Sequence, residues 1–161
     1  MRTLLFLILF LVVISCNNIK QITSLEGNWY SCSKRGDYIE FIVKNDSYRY
    51  SSNLGIVTPW FKYKINKDTL FQYDTNKVYD SMVIKKSIIS FSKNGKLFMN
   101  YITSNENWIM FRIEEDISNI QDDDLLLKGT KERSKKINCQ DIRRKEEKIQ
   151  DSINSIIDFK F

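Results

Sequence analysis

The sequence predicts a mainly β fold: an antiparallel up-and-down meander of roughly 8–10 strands that closes as a barrel and is followed by C-terminal helices. Short strand-like runs recur about every ten residues between Gly27 and Ile113. Clusters of turn-forming residues separate them, and no helical pattern intervenes. The runs cover residues 28–33, 38–43, 48–51, 59–65, 69–73, 78–84, 88–92, 97–103 and 108–113. Closure as a barrel is favoured because it removes exposed sheet edges.

Side chains alternate along several of these runs. Ile39, Phe41 and Val43 share one face of the second predicted strand, whereas Tyr38 and Glu40 lie on the other. A period of two with one more polar face is typical of an antiparallel sheet with one side in contact with solvent. The alternation therefore supports strands and not buried helical segments.

Aromatic residues are concentrated in the predicted meander. Seventeen of the 21 aromatic side chains lie within residues 17–113. They either line a cavity or fill the core of the barrel, and the sequence leaves both alternatives open. The candidate cavity-lining residues are Phe41, Phe61, Tyr63 and Phe71.

The pattern becomes helical after Ile113. A first helix is predicted over residues 115–128, with Gly129 as its C-terminal stop. A second, amphipathic helix of about 18 residues is predicted after Gln140, because isoleucines recur there at helical spacing. These isoleucines are Ile142, Ile149, Ile153, Ile156 and Ile157. The favoured interpretation is that they cover the barrel wall or an open end of the barrel, and the alternative is a partner-binding helix.

Composition excludes several functional classes. The chain carries 25 basic and 20 acidic residues, no histidine and a net charge of +5. Its lysines lie mostly in predicted turns, whereas a nucleic-acid interface needs clustered basic residues. Without histidine, Ser-His-Asp and Cys-His catalytic groups cannot form, and a structural zinc site lacks ligands. We therefore expect no enzymatic activity, no metal, no cofactor and no nucleic-acid partner.

The amino terminus has the pattern of an export signal. Arg2 is the only charge before an apolar run over residues 4–14. A membrane-spanning helix needs about 20 apolar residues, so this run is too short to span comfortably. The sequence Val13-Ile14-Ser15-Cys16 resembles the lipobox of bacterial lipoproteins, which implies that Cys16 is acylated and becomes the first residue. An ordinary secretory signal with an incidental cysteine is the alternative.

The lipoprotein resemblance defines the expected organisation of the chain. Residues 1–16 are the signal peptide, 17–24 a tether, and 25–161 the barrel domain with a helical segment at 114–161. Durable anchoring requires two or more acyl chains, at about 0.8 kcal/mol per buried methylene. Asn17, and not an aspartate, follows Cys16. The resemblance therefore implies a cell-envelope location, at the outer membrane and facing the periplasm.

Two cysteines remain beyond the lipidation site. Export to an oxidising compartment permits a disulfide between Cys32 and Cys139. That bond would close a loop of more than 100 residues, which stabilises a fold by about 4.7 kcal/mol in the loop-entropy model. Two separate buried thiols are the alternative.

The start of the globular part carries a family resemblance. Leu25-Glu26-Gly27-Asn28-Trp29-Tyr30 contains a Gly-x-Trp motif and is similar to the opening of lipocalin-like domains. The resemblance implies that Gly27 and Trp29 close one end of the barrel and that Arg112 packs over the tryptophan ring. It also implies a helix after the barrel and a disulfide that joins the barrel to the C-terminal segment.

Two functions follow as expectations. The lipocalin-like resemblance implies a lipid-anchored envelope protein that binds a small apolar or amphipathic ligand. The alternative is a protein-interaction or inhibitor module with a filled barrel core and no small-molecule ligand. The contents of the barrel distinguish them.

Overall fold

The computed structural model of this chain describes residues 22, 24–73, 83–102, 104 and 106–158. Eight antiparallel strands are joined in sequence order into a closed barrel, and two helices follow. The strands are β1 (Gly27–Cys32), β2 (Tyr38–Lys44), β3 (Ser47–Ser52), β4 (Phe61–Asn66), β5 (Thr69–Tyr73), β6 (Val83–Phe91), β7 (Leu97–Tyr101) and β8 (Asn107–Arg112). The helices are α1 (Asp123–Lys136) and α2 (Lys145–Asp158). The predicted fold class is confirmed.

The barrel closes between its first and last strands. Trp29 lies opposite Arg112 and Tyr30 opposite Phe111 in the β1–β8 ladder. Because successive strands run in opposite directions, their connections lie alternately at two opposite ends of the barrel. We call the end that holds the start of β1 and the turns at 45–46, 67–68 and 93–95 the Trp29 end. The opposite end holds the turn at 33–37, the loop at 53–60 and the described residues 102, 104 and 106, and we call it the disulfide end.

One pair of predicted strands forms a single strand. The predicted runs at 78–84 and 88–92 leave residues 85–87 outside any strand, but β6 continues from Val83 to Phe91. Lys85 and Lys86 lie opposite Gln72 and Phe71 in the β5–β6 ladder. Lys86 also lies over the Phe71 ring, 5.7 Å from its centroid. Ladder pairing and aromatic contacts therefore outweigh the low strand propensity of lysine. Residues 78–82 lie outside the described part of the chain.

Helix α1 packs on the outer face of the barrel. Ile42 from β2, Ile117 and Leu126 are fully buried together in a second small core. This helix begins eight residues later than predicted, because the Asp122 carboxylate caps it by accepting a hydrogen bond from the Leu125 amide at 2.9 Å. The Asp116 carboxylate accepts bonds from the amide and hydroxyl groups of Ser118, and such local bonds favour turns over helix.

Gly129 is not the end of this helix, and that prediction is wrong. The helix continues to Lys136. A Cβ at position 129 would lie 3.0 Å from an Arg133 guanidinium nitrogen. Glycine therefore leaves space for the Arg133 side chain, which folds back along the helix towards the barrel.

Candidate functional site

The Trp29 end is closed by the contact that the family resemblance implies. The Arg112 guanidinium carbon lies 4.7 Å from the centre of the Trp29 ring, a favourable cation–π geometry. Arg112 Nη1 donates to the Glu26 carbonyl at 2.8 Å, and Trp29 Nε1 donates to the Leu25 carbonyl at 2.9 Å. The ring, the guanidinium and the chain entering β1 therefore hold one another in place.

Gly27 is required by the same contact. Its φ angle is +121°, a conformation that side-chain-bearing residues rarely adopt, and a Cβ there would overlap the Arg112 guanidinium. The glycine of the Gly-x-Trp motif thus permits the arginine to approach the tryptophan.

The interior of the barrel is nearly full. Among the described residues, a space of about 20 Å³ remains between the interior side chains. Its lining is apolar apart from one glutamine: Leu25, Trp29, Phe41, Val43, Tyr48, Tyr63, Leu70, Gln72, Leu97, Met99 and Met110. Small-molecule pockets typically enclose about 300–1,000 Å³. This space does not hold a ligand in the conformation described.

Three of the four predicted cavity residues belong to the interior. Phe41 and Tyr63 line the residual space, and Phe61 packs against the interior core, with its ring centre 5.5 Å from that of Tyr48. Together these rings fill the barrel and do not surround a hollow.

Phe71 lies on the outside, and its prediction as a cavity residue is wrong. Its strand neighbours Leu70 and Gln72 are buried and line the interior, so the two-residue alternation of β5 turns Phe71 outward, beneath Lys86. A run in which apolar residues occupy both faces gives no periodic signal for which face is internal, so the sequence could not decide this point.

The interior also contains polar groups. Gln72 Oε1, Ser87 Oγ and Ser52 Oγ are buried and have no hydrogen-bond partner among the described residues. Burial raises the pKa of Tyr101 to about 12, although a hydrogen bond with Gln72 acts in the opposite direction. Buried polar groups are almost always bonded, so these oxygens provide places for a water molecule or a polar ligand group.

The outer face of β2 carries a buried ion pair that the sequence analysis missed. Arg133 on α1 binds Glu40 through two hydrogen bonds, Nε to Oε1 at 2.7 Å and Nη2 to Oε2 at 2.9 Å. Glu40 is fully buried, and Thr130 Oγ1 donates to the same carboxylate at 2.9 Å. Burial acts to lower the pKa of Arg133, but the hydrogen bonds and charge of Glu40 raise it above its ordinary value. Burial, reinforced by the charge of Glu40, also raises the pKa of Tyr38.

A sequence signal for this pair exists. Glu40 lies between Tyr38 and Ile42 on the face that alternation assigns to the outside of the barrel. A carboxylate flanked by large apolar residues on an outer face indicates that another element covers that face. The sequence does not identify Arg133 as the partner, because the separation of 93 residues leaves the pairing to the packing of α1.

The disulfide end is joined to the C-terminal segment covalently. Cys32 and Cys139 form a disulfide with a Cα–Cα distance of 5.4 Å, so the predicted bond is confirmed. Beyond it, the Ile142 amide donates to the Lys34 carbonyl at 3.0 Å. Asp151 on α2 pairs with Arg35 at 3.2 Å. These contacts fix the start of α2 against the turn at 33–37.

The two isoleucines of the predicted stripe that can be assessed, Ile142 before α2 and Ile149 on it, do not cover the barrel. Ile142 is 71 % exposed and Ile149 is 51 % exposed, so the favoured interpretation of the isoleucine stripe is wrong for these two residues. The backbone of α2 approaches no strand and no other helix in the described part of the chain. The side chains of Ile153, Ile156 and Ile157 lie outside the described residues.

An open polar depression of about 450 Å³ lies at the Trp29 end. Its cations already have partners: Lys44 donates to Asn119 at 2.8 Å, and Arg112 is held by Glu26 and Trp29. It therefore offers no unpartnered cation to an acidic ligand.

Two expectations concern membranes and metals. Cys16, the predicted lipidation site, lies outside the described residues. No helix among the residues described is long and apolar enough to cross a membrane. Within the same ranges, no group of three or more Cys, Asp or Glu side chains could hold a metal ion.

Comparison of the chain with protein-family models, with curated proteins and with solved structures found no match.

Proposed function

We propose that this chain is a lipid-anchored, lipocalin-like lipoprotein of the bacterial cell envelope that acts as a protein-interaction or inhibitor module. The observation that carries this proposal is the filled interior, where about 20 Å³ remains among packed aromatic and aliphatic side chains. Because the interior formed by the described residues leaves too little space for a ligand, recognition is assigned to the outer surface. The chain carries no catalytic activity in this proposal.

A ligand titration tests the filled core. Tryptophan emission of the mature protein is followed while palmitate or haem is added, because Trp29 lines the interior. We expect no saturable change. Leu97→Ala is the matched control, because it removes a fully buried side chain from the same lining and so enlarges the space. Saturable binding by the unaltered protein, at the affinity of the enlarged variant or better, would contradict the proposal.

The membrane anchor is proposed from the sequence Val13-Ile14-Ser15-Cys16. Mass spectrometry of the N-terminal peptide from cells should give Cys16 as the first residue, carrying a diacylglycerol group. Cys16→Ala should abolish both the modification and partitioning into detergent. An unmodified Cys16 in envelope fractions would contradict lipidation and leave the interaction proposal to be judged on the barrel alone.

A second candidate function is the binding of a small amphipathic ligand by the polar part of the interior. The unbonded oxygens of Gln72, Ser87 and Ser52 favour it, because a ligand with hydrogen-bond donors would satisfy them. Binding of an amphipathic ligand that Gln72→Leu weakens, together with failure to recover any protein partner, would favour this function over the first.

A further inference from the structure

Strands β4 to β8 present an outer face of the barrel that no helix covers in the described part of the chain. Helix α1 approaches β2 and β3, and the backbone of α2 approaches no strand. In β4, the exposed residues Lys62, Lys64 and Asn66 alternate with residues that pack on the interior core. The same two-residue alternation places every second residue of β5 to β8 outside. We call the outward side of these five strands the open sheet face.

The open sheet face is basic. Strands β4 to β8 contain four lysines and one arginine, and none of their positions is Asp or Glu. Lys62 pairs with Asp46 of the neighbouring turn at 2.8 Å. Lys64 and Lys86 are exposed and form no ion pair with a described residue. Because the strands themselves supply no carboxylate, the charges of these two lysines remain available to a ligand.

The strand register joins the outward residues into one continuous surface. Lys64 lies opposite Phe71, and Phe71 lies opposite Lys86, so the two cations flank one ring. A neighbouring row crosses all five strands, each residue opposite the next: Asn66, Thr69, Ile88, Asn100 and Asn107. Neighbouring strands lie about 4.8 Å apart, so this row spans roughly 19 Å. The two rows are about 7 Å apart, the distance between residues i and i+2 of a strand.

Aromatic rings position lysines on this face. Lys86 Nζ lies 5.7 Å from the centre of the Phe71 ring, and Lys96 Nζ, just before β7, lies 4.9 Å from that of Phe111. A cation–π contact holds an ammonium group in place without neutralising its charge. The face therefore combines positioned positive charges with a row in which four of the five side chains are amides or hydroxyls.

This combination fits a chain that carries both negative charges and hydroxyl groups. We propose that the open sheet face binds an acidic polysaccharide. Lys64 and Lys86 contact its charged groups, while Asn100 and Asn107 exchange hydrogen bonds with its hydroxyls. The inference goes beyond the proposed function and does not rest on it, because it concerns a different class of ligand.

Other occupants fit the open sheet face less well. The centres of protein–protein interfaces are depleted in lysine, and here lysines and amides occupy the centre. Insertion into a bilayer would remove the row of amides from water without giving it hydrogen-bond partners, which is costly. Single-stranded nucleic acid needs free aromatic faces on which bases stack, whereas lysines lie over Phe71 and Phe111.

Equilibrium binding of the full-length protein, in non-ionic detergent at low ionic strength, to polygalacturonate tests the site. Lys64→Gln combined with Lys86→Gln should lower the affinity by about tenfold. Lys131→Gln combined with Lys135→Gln is the matched control, because it removes the same charge from exposed positions of α1. The control should change the affinity by less than about twofold, and Lys64→Arg with Lys86→Arg should preserve it.

A second arm tests the contribution of the hydroxyl groups. Polyglutamate carries carboxylates but no hydroxyls, so we expect it to bind more weakly than polygalacturonate. Asn100→Ala combined with Asn107→Ala should weaken polygalacturonate binding by about threefold and leave polyglutamate binding unchanged. Both asparagines are exposed, so these substitutions are expected to leave the fold intact.

The outcomes separate the site, its occupant and the proposed function. Absence of polygalacturonate binding would overturn the inference, and equal losses from the two glutamine pairs would reduce binding to net charge and overturn the site. Polyglutamate binding as tight as that of polygalacturonate would overturn the polysaccharide as occupant in favour of an acidic protein. Displacement of polygalacturonate by phosphatidylglycerol added to the micelles would overturn it in favour of a membrane. The filled core is judged separately, by the palmitate titration.

Discussion

Glu40 and Arg133 form a two-bond ion pair in which the carboxylate is completely removed from solvent. The pair joins β2 to α1, and the third nitrogen of Arg133 reaches Glu115 at 3.1 Å. Because a buried charge without its partner is costly, this contact makes the packing of α1 on the barrel specific. It also explains Gly129, whose missing side chain admits the guanidinium.

Removing the cation from this pair is expected to be strongly destabilising. Arg133→Met keeps most of the side-chain volume but leaves the Glu40 carboxylate buried and unpaired, so the free energy of unfolding should fall by about 3–5 kcal/mol. Urea unfolding followed by tryptophan emission measures it. Lys131→Met on the exposed side of the same helix is the control and should change stability by less than about 0.5 kcal/mol. Equal effects of the two substitutions would show that the pair does not secure α1.

A side chain at Gly27 should disrupt the closure of the Trp29 end. Gly27→Ala adds backbone strain and also displaces Arg112 from Trp29. Gly55→Ala is a matched control, because Gly55 has a φ angle of +92° and nothing within 4 Å of its missing Cβ. The free energy of unfolding of the control should fall by about 1–3 kcal/mol from backbone strain alone, and that of Gly27→Ala should fall by more. If denaturant unfolding gave the same loss for both, the contact with Arg112 would carry no stability.

Reduction of the disulfide should destabilise the native state. The bond between Cys32 and Cys139 closes a loop of 107 residues, which corresponds to about 4.7 kcal/mol in the loop-entropy model. Thermal unfolding with and without dithiothreitol measures the difference. Cys32→Ala is the control, because its stability should not respond to the reductant. A melting temperature that dithiothreitol leaves unchanged in the unaltered protein would contradict this prediction.

Alkaline pH should destabilise the protein through its buried tyrosines. Burial raises the pKa of Tyr101 from 10.0 to about 12, so the native state retains the phenolic proton longer than the unfolded state. The stabilisation is fully present below pH 10 and is lost as the pH rises towards 12. A shift of this size corresponds to roughly 3 kcal/mol.

The free energy of unfolding, measured at pH 9 and pH 11.5, tests the sign of this pH dependence. Tyr101→Phe should show a smaller loss of unfolding free energy between these values, although Tyr38 and Tyr63, whose pKa values burial also raises, continue to contribute. A loss that is as large in the phenylalanine variant as in the unaltered protein would exclude Tyr101 as a source.

The barrel fold could be predicted from the sequence because the sequence signals for it are local. Turn residues at about ten-residue spacing and alternation along each strand specify an antiparallel meander. The division of β6 into two predicted strands shows the limit of such signals. Lys85 and Lys86 have low strand propensity, but their pairing with residues of β5 and their contacts with the Tyr101 and Phe71 rings become available only when the sheet forms.

The sequence by itself determined the up-and-down strand order and the eligible cysteine pair, because both depend on residue type and spacing along the chain. The residues expected to close one end followed from the family resemblance. Only the tertiary structure decided that the interior is filled, that Phe71 faces outward, that Glu40 binds Arg133 and that Ile142 and Ile149 are exposed. These properties depend on how side chains from distant strands and helices occupy the same space. No residue pattern within a single segment specifies which side chains of distant segments will meet.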